Sequence, residues 1–477
     1  MLKNFWNLTK IQLSKFKSSN LKGIFNVIGS IIIYMVFGSL YTWSNINVYL
    51  VSYLKQYNSP NIEIVDGFFI MPIVLVISNF SNYFGTTIEE KLGFKKCLFL
   101  TLLMACGSHF ILIFTTRLVA IYFLMIIFGI AIGFSYIGIT KNAWYYYPEK
   151  KGLISGIILF GYGGSSMIFS GFADSIINPN NESTDSNGLF NKEIADNTYI
   201  YIKKLNIILF IMSLIGFLLI SDYNKNNTEH QNDFTKNDEN RSLVIKEVFK
   251  TRQVWQIIIL NFCSLYFLYI ITNTNRSFGQ LNLLSSGLLS TLSKLYSFIN
   301  GFGRIIWGYL LDKFKLKKIY FFILFLEIII SSTIFYAGKY QYLYFIMICC
   351  CSSLFSGVVV ITVVIFPKIY GIKYSNKIFG IASAISGFSC ILGPIASKVF
   401  IKELKDYKKM YISGMFFSLL AIINLYFLND NKYIYSFEHT KNNNFIFDNE
   451  KKQDDNQFKE MEFKEYDTNY EYNNQKI

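Results

Sequence analysis

Charged residues and proline are scarce in this chain. Only 16% of its 477 residues are charged and only six are proline, whereas 52% are hydrophobic. A soluble globular domain usually carries about 25% charged residues. A chain this long and this apolar is therefore expected to place much of its surface in lipid. The composition excludes an ordinary soluble enzyme or soluble binding domain.

Motifs for catalysis are missing as well. The sequence has neither a Gly-rich loop ending in Lys-Ser or Lys-Thr, which would bind nucleotide phosphates, nor a nucleophile elbow. Its three histidines and seven cysteines do not show the spacing of a metal site. These absences predict a protein that is not an enzyme and that requires no cofactor and no metal.

The formal net charge of +14 admits two interpretations. A nucleic-acid partner would account for it, but basic cytosolic loops on a membrane protein account for it equally well. The long apolar runs favour the second interpretation, so we expect contact with membrane lipid and none with nucleic acid. The basic segment 1–23 lacks a small-residue cleavage site, so it is expected to stay in the cytosol rather than act as a signal peptide.

The hydrophobic runs predict an all-α membrane protein with twelve transmembrane helices in two six-helix bundles, because crossing the hydrocarbon takes about 20 apolar residues. The runs lie near 24–50, 66–88, 95–115, 119–141, 153–175, 204–221, 253–272, 287–311, 317–336, 342–366, 377–400 and 410–428. The predicted domains are a cytosolic segment 1–23, a first bundle 24–221, a cytosolic linker 222–252, a second bundle 253–428, and a disordered cytosolic tail 429–477.

The distribution of lysine predicts the orientation. Lysines cluster in alternate loops, such as 91–96, 150–151 and 313–318, which should therefore face the cytosol together with both termini and the linker. The basic loop 402–409 is an exception to this scheme. Loop 175–203, which carries the glycosylation-type pattern Asn181-Glu-Ser183, should face the outside or the lumen of an organelle. The sequence leaves both the plasma membrane and an organelle membrane open.

Two similar loops occur six helices apart. The first runs from Gly85 to Lys96 and the second from Gly308 to Lys318, and each has a glycine, then an acid, then a basic cluster. Glycine lets helices approach closely, and breaking contacts of the acid is a step by which one bundle could rock against the other. Ordinary basic turns are the alternative interpretation. The candidate gating residues are Gly85, Glu89, Lys91, Gly308, Asp312 and Lys313.

These paired loops resemble the signature loop of the major facilitator superfamily, and the resemblance covers residues 24–430. Three stretches are similar to the oxalate/formate antiporter and monocarboxylate porter branch, namely Gly38–Ser44, Tyr146–Gly164 and Asn300–Gly308. The resemblance implies the major facilitator fold and alternating access to a site between the bundles. It also implies secondary active transport of small organic anions, such as the monocarboxylates pyruvate and lactate, by symport or antiport.

Arg304 is the most informative residue in the third stretch, because an arginine inside an apolar run should face a cavity or a partner. Its planar guanidinium matches a carboxylate in two-point contact. In the resembling branch the matching arginine binds the substrate carboxylate. A structural arginine paired with an acid near the membrane edge is the alternative.

Tyr41, Asn300 and Ser386 complete the candidate substrate-binding set. Tyr41 belongs to a group of aromatic and amide side chains in helix 1 that could wall a small anion site, whereas Trp43 is expected to anchor the helix at the membrane edge. Ser386 stands where the oxalate antiporters carry a second cation, a lysine. One cation suits a monocarboxylate better than a dianion, so this departure puts oxalate itself in doubt.

Glu327 in helix 9 is a candidate for proton coupling, because an acid in the middle of an apolar run is unusual. A packed or paired acid is the alternative interpretation. Protons are therefore a candidate coupling ion, and the sequence does not choose between proton symport and anion exchange. Two other functions stay open: a transporter of amino acids or other neutral solutes, and a non-transporting membrane sensor that signals through its tail.

Overall fold

The computed structural model describes residues 21–57, 62, 64–67, 69–180, 182, 184, 189–223, 245–284, 286–392, 395 and 404–428. The chain divides into two compact units, 1–430 and 431–477, and the second lies outside the described residues. The predicted segment 1–23 and linker 222–252 lie largely outside them. The predicted tail and the residues Asn181 and Ser183 lie wholly outside them.

The described part of the first unit contains twelve long helices. They are α1 (Leu21–Thr42, continued by Trp43–Tyr57), α2 (Ile70–Leu92), α3 (Phe94–Leu112), α4 (Leu118–Tyr146), α5 (Lys151–Ile177), α6 (Lys192–Leu219), α7 (Arg252–Leu281), α8 (Ser286–Lys313), α9 (Leu316–Ala337), α10 (Gln341–Tyr370), α11 (Ile372–Gly387) and α12 (Leu404–Phe427). Short helices lie at Ile64–Gly67, Pro148–Lys150 and Ile245–Val248. The described residues contain no β-strand. The predicted all-α fold of twelve helices in two bundles is confirmed.

Ten of these helices are long and apolar enough to cross a membrane, judged by length and composition. The two that fall short are α2 and α8, which carry several polar side chains. Asn79 and Asn82 lie in α2, and Lys294, Arg304 and Asp312 lie in α8. Because α2 and α8 are the second helices of their halves, the least apolar helices occupy equivalent positions in the repeat.

Contacts between the two halves run along α5 against α8 and along α2 against α11. Glycine makes the α5–α8 approach possible, since a Cβ on Gly156 would lie 2.3 Å from the Arg304 carbonyl oxygen, and one on Gly308 would lie 2.3 Å from the Gly152 carbonyl oxygen. A Cβ on Gly380 in α11 would likewise lie 2.7 Å from the Tyr83 backbone nitrogen in α2. These backbones therefore pack without intervening side chains.

Two lysines of the repeated loops bind the ends of neighbouring helices. Lys95 donates to the carbonyl oxygens of Phe217 and Ile220 at the end of α6. Lys317 donates to the carbonyl oxygens of Tyr426 (2.9 Å) and Leu428 (3.1 Å) at the end of α12. The last carbonyls of a helix lack partners within it and carry partial negative charge. One lysine from each of the repeated basic clusters therefore caps the C-terminal end of the last helix of its half.

Trp43 corrects one expectation from the sequence. Its side chain is buried within the bundle, with only 3% of its surface exposed. An anchor at the membrane edge must reach the interface, so the anchor assignment is wrong. Trp43 lies where the 3-10 turn Ser39–Thr42 passes into the second segment of α1, which directs its ring inward.

Candidate functional site

A small cavity lies between the two halves. Its volume is about 80 Å³. One water molecule takes about 10–15 Å³ of such volume, so the cavity has room for roughly five to eight of them. The helices that line it are α1, α2, α4 and α5 from the first half, and α7, α10 and α11 from the second. A site between the halves is thus present, and its size suits a small organic molecule.

The cavity wall combines aromatic rings with uncharged polar groups. Its polar members are Tyr41, Ser78, Asn79, Asn82, Tyr136, Tyr162, Tyr269, Thr362, Ser383 and Ser386. Among the residues that the structure describes, the lining contains no lysine, arginine, aspartate or glutamate. Hydroxyl and amide groups can orient a small polar solute by hydrogen bonds. Any charge recognition must therefore come from a group just behind this wall.

Arg304 is a charged group that lies just behind this wall, over the Tyr162 ring. Its side chain in α8 is fully buried, with 0% of its surface exposed. Nε and Nη2 both donate to Oδ1 of Asn300, at 3.1 and 2.9 Å, and Nη1 donates to the carbonyl oxygen of Leu159 in α5 at 3.0 Å. No carboxylate of the described residues forms an ion pair with it. Three N–H groups of the guanidinium thus donate to the neutral oxygens of Asn300 and Leu159, and no carboxylate of the described residues balances its charge.

Two tyrosines separate Arg304 from the cavity. The Cζ atom of Arg304 lies 5.7 Å from the ring centroid of Tyr162, within the range of a cation–π contact. Tyr41 packs edge-on against Tyr162, with the ring centroids 5.1 Å apart, and its side chain hydrogen-bonds to Arg304. A modest movement of these rings would expose the guanidinium to a solute in the cavity.

The four candidate binding residues fall into two pairs. Tyr41 and Ser386 line the cavity, and the Ser386 hydroxyl donates to the Ala382 carbonyl oxygen at 2.9 Å. Arg304 and Asn300 lie behind the lining, where the Asn300 amide oxygen orients the guanidinium. The sequence analysis missed Tyr136, Tyr162 and Tyr269, although Tyr162 lies inside the quoted stretch Tyr146–Gly164.

Asp312 joins three helices where the halves meet. Its two carboxylate oxygens accept hydrogen bonds from the backbone N–H groups of Gly152 (2.9 Å) and Leu153 (2.7 Å), the first residues of α5. Lys368 in α10 pairs with the same carboxylate at 2.8 Å. A negative charge at a helix N-terminus is favourable, so Asp312 holds the end of α8 against the start of α5. Lys313, by contrast, is exposed and lies over the Tyr309 ring.

The loop of the first half makes its inter-half contact through a neighbour of the predicted acid. Glu90 pairs with Lys377 of α11 at 2.5 Å, whereas the Glu89 carboxylate lies over Gly138 of α4 within the first half. Gly85 packs against the Phe134 backbone of α4, and Lys91 is exposed. Of the two neighbouring acids in this loop, Glu90 is therefore the one whose ion pair joins the two halves.

Glu327 lies away from the cavity, inside the second half. Its side chain is fully buried and accepts hydrogen bonds from Ser264 of α7 and, at 2.9 Å, Ser418 of α12.

Within the described ranges, no group of three or more His, Cys, Asp or Glu side chains could hold a metal ion.

Comparison with known proteins places the fold. Residues 274–452 match the model of the Major Facilitator Superfamily. A crystal structure of the transporter FucP in the outward conformation superposes with a TM-score of 0.61 at 12% identity, over 86% of this chain and 99% of that one. The proton:xylose symporter XylE, bound to 6-bromo-6-deoxy-D-glucose, gives a TM-score of 0.58 at 13% identity, over 84% and 96%. The fold expected from the sequence is confirmed, and the second half of the chain is similar to the model of that superfamily.

Two curated proteins are related in sequence. The uncharacterized MFS-type transporter YhjX of Escherichia coli (strain K12) is 25% identical over 292 residues, which are 60% of this chain and 65% of that protein. The apicoplast pyruvate carrier 1 of Toxoplasma gondii is 24% identical over 193 residues, 33% of this chain and 35% of that protein. The chain thus spans less than two thirds of the length of either relative.

Proposed function

Because the chain has the major facilitator fold and its second half matches the model of that superfamily, we propose that it is a secondary active transporter of small organic anions. The substrates are monocarboxylates of the size of pyruvate or lactate. The protein works by alternating access, with both termini in the cytosol of a plasma or organelle membrane. It performs no catalysis and uses no cofactor.

The observation that carries this proposal is the buried, uncompensated charge of Arg304. Placing an arginine in the centre of a membrane helix costs about 2.5–3.5 kcal/mol or more. A structural arginine would recover that cost from an acidic partner, and among the described residues no acid is paired with Arg304. A substrate carboxylate would supply the missing negative charge in two-point contact.

The cavity supports the size of the substrate. Its roughly 80 Å³ would hold a short carboxylic acid, and its hydroxyl and amide groups would bind a keto or hydroxy group beside the carboxylate. One buried cation matches one carboxylate, whereas a dicarboxylate would bring a second charge into a lining that contains no cation. The partial likeness to a pyruvate carrier agrees with this substrate class.

Uptake of radiolabelled pyruvate into proteoliposomes tests the proposal. The full chain should catalyse exchange of internal unlabelled pyruvate for external labelled pyruvate. Lactate and acetate should compete, while oxalate and alanine should compete at least about tenfold less well, which corresponds to about 1.4 kcal/mol of discrimination. Liposomes without protein control for passive entry of the protonated acid.

The rival functions give different results in the same assay. Equal competition by alanine would favour an amino-acid transporter, in which Arg304 holds the carboxylate of a zwitterion. Saturable binding of pyruvate to the purified protein without any exchange would favour a membrane sensor. Either result would overturn the proposed monocarboxylate transport.

A further inference from the structure

A second buried polar cluster lies within the second half, apart from the proposed substrate site. Among the described residues, Glu327 of α9 is its only acid, and Ser264 of α7 and Ser418 of α12 donate to its two carboxylate oxygens. All three side chains are 0% exposed. The carboxyl group therefore lies at the junction of three helices with no access to lipid headgroups or bulk water.

The surroundings of this carboxyl group contain no positive charge among the described residues. The titratable side chains that face it are Tyr320 on its own helix, Cys263 on α7 and Cys351 on α10. From α12 only the neutral Ser418 reaches it. A buried carboxylate without a cation is costly, and taking up a proton removes the charge. The site is therefore built to exist in both protonation states, with the hydroxyl donors moderating the charged one.

A chain of polar groups leads from this cluster to the cavity. Asn261 lies one turn before Ser264 on α7, and its Oδ1 accepts hydrogen bonds from Tyr320 and, at 3.1 Å, from Thr362. Thr362 lines the cavity. The Nδ2 atom of Asn261 is buried and has no hydrogen-bond partner within the described structure. Three residues of a helix rise about 4.5 Å along its axis, a separation that a single water molecule could bridge.

We propose that Glu327 binds the proton that drives substrate movement, and that the proton reaches it from the cavity through water molecules hydrogen-bonded to Thr362, Asn261 and Ser264. This inference rests on the transport function proposed above. The carboxylate takes up one proton to become the neutral carboxyl and releases it on the other side of the cycle. One proton moving with one monocarboxylate carries no net charge, so this symport is electroneutral.

The position of Ser264 explains how the proton would act on the cavity. Ser264 precedes Leu265, and Leu265 and Tyr269 of α7 both line the cavity. Charging or neutralising Glu327 changes the hydrogen bond that holds α7 against α9 and α12. Helix α7 then presents a different surface to the substrate. The proton site at Glu327 and the substrate cavity therefore each interact differently with the two conformations of the transporter.

Two assays on Glu327→Gln in proteoliposomes test this assignment. Glutamine keeps the shape of the side chain but cannot take up the transported proton. The wild type should accumulate labelled pyruvate about tenfold under an inward gradient of one pH unit, the ratio expected for one-to-one coupling. Glu327→Gln should accumulate none, yet should keep exchange of pyruvate at equal pH, which needs no net proton movement.

The outcomes separate this inference from the proposed function. Wild-type protein that does not exchange pyruvate would overturn the transport proposal itself. Accumulation by Glu327→Gln equal to that of the wild type, or accumulation driven by a sodium gradient in place of a proton gradient, would overturn the role of Glu327 alone.

A second variant keeps the test decisive if Glu327→Gln does not fold. Ser418→Ala retains the carboxyl group but removes one donor that favours its charged form. The pH of half-maximal exchange should therefore move upward by about one unit. Ser413→Ala on the same helix, whose hydroxyl lies 3.2 Å from the Tyr266 hydroxyl, is the matched control and should leave that pH unchanged. Identical pH profiles for both variants would overturn the proposal.

Discussion

Arg304 links the proposed substrate site to the contact between the halves. Its guanidinium comes from α8, but one of its hydrogen bonds ends on the Leu159 carbonyl oxygen of α5. When α5 and α8 separate, that bond is lost, and a charged N–H group needs a new acceptor. Hydrogen bonds to charged groups contribute about 1.5–3 kcal/mol each. A substrate carboxylate is the acceptor that would replace the carbonyl oxygen.

The first prediction concerns substitution of this arginine. Arg304→Lys keeps the charge but loses the planar fork, so the affinity for pyruvate should fall about tenfold. Arg304→Ala loses charge and hydrogen bonds together and should lower affinity about 100-fold, with the melting temperature in detergent unchanged or raised because a buried charge is removed. Binding and thermal unfolding of both variants check this.

A control and a contrary result define the test. Lys294→Ala removes an exposed lysine from the same helix and should change affinity by no more than about threefold, as for an exposed charge. A structural arginine would give the opposite pattern, namely misfolding or poor expression of Arg304→Ala. Normal pyruvate uptake by that variant would end the anion-site hypothesis.

Asn300→Asp provides a second prediction at the same site. The substitution is nearly isosteric and places a carboxylate oxygen where Nε and Nη2 of Arg304 now find an amide oxygen, at 3.1 and 2.9 Å. The new carboxylate should satisfy the guanidinium permanently and compete with the substrate. Pyruvate uptake should fall at least about tenfold while the melting temperature stays the same or rises.

The neutral variant Asn300→Gln is the control for Asn300→Asp, since it keeps an amide in the pocket and adds no charge. Full uptake by Asn300→Asp would mean that Arg304 does not act as the substrate's counter-ion.

At the level of single residues, the sequence could identify those side chains whose chemistry is unusual for their position. An arginine within an apolar run stands out, and so do Tyr41 and Ser386 through their motif. The tyrosines 136, 162 and 269 do not stand out, because the chain contains 34 tyrosines. Only the packing of α4, α5 and α7 shows that these three line the cavity.

Among the elements, α5 and α8 control the contact between the halves through glycine. Gly156 of α5 has no room for a side chain, because its Cβ would lie 2.3 Å from the Arg304 carbonyl oxygen. Further along α5, a Cβ on Gly171 would meet nothing within 4 Å. The same helix therefore contains one glycine that has no room for a Cβ atom and one that has room for it.

This difference gives the third prediction. Gly156→Ala should push α5 away from α8 and destabilise the observed arrangement by about 1–3 kcal/mol, the usual cost of overpacking. The exchange rate should fall about fivefold or more, and the melting temperature should drop. Gly171→Ala should leave both unchanged or slightly improved. Equal behaviour of the two variants would show that the α5–α8 approach has no role in transport.

The elements themselves were largely predictable, since each needs a long apolar run to cross lipid. Their interactions were less so. The basic clusters predicted to retain loops in the cytosol also contain Lys95 and Lys317, which bind the ends of α6 and α12. Likewise, the motif drew attention to Glu89, whereas Glu90 reaches Lys377. Position along a helix turn decides which neighbour a side chain meets, and a sequence motif does not show that position.

For the whole molecule, the carboxylate contacts between the halves lie at one end. The start of α5, the end of α8, the end of α2 and the start of α11 meet there through Asp312 and through Glu90 with Lys377. The linker between α6 and α7 leaves from this same end, because helices alternate in direction. If the end faces the cytosol, the observed state is closed to the cytosol.

The last prediction tests this orientation with single cysteines at two exposed loop positions. Lys315 lies in the α8–α9 loop at the linker end, and Lys339 lies in the α9–α10 loop at the opposite end. The positive-inside rule places the lysine-rich α8–α9 loop in the cytosol. In sealed cells or organelles, a membrane-impermeant maleimide should label Lys339→Cys at once and Lys315→Cys only after permeabilisation. Each variant is compared with the unsubstituted chain, which corrects for the seven native cysteines.

Labelling of Lys315→Cys before Lys339→Cys would show that the topology is the opposite of the predicted one. The closed end with Asp312 would then face outward, and the proton in the proposed symport would enter from the opposite side.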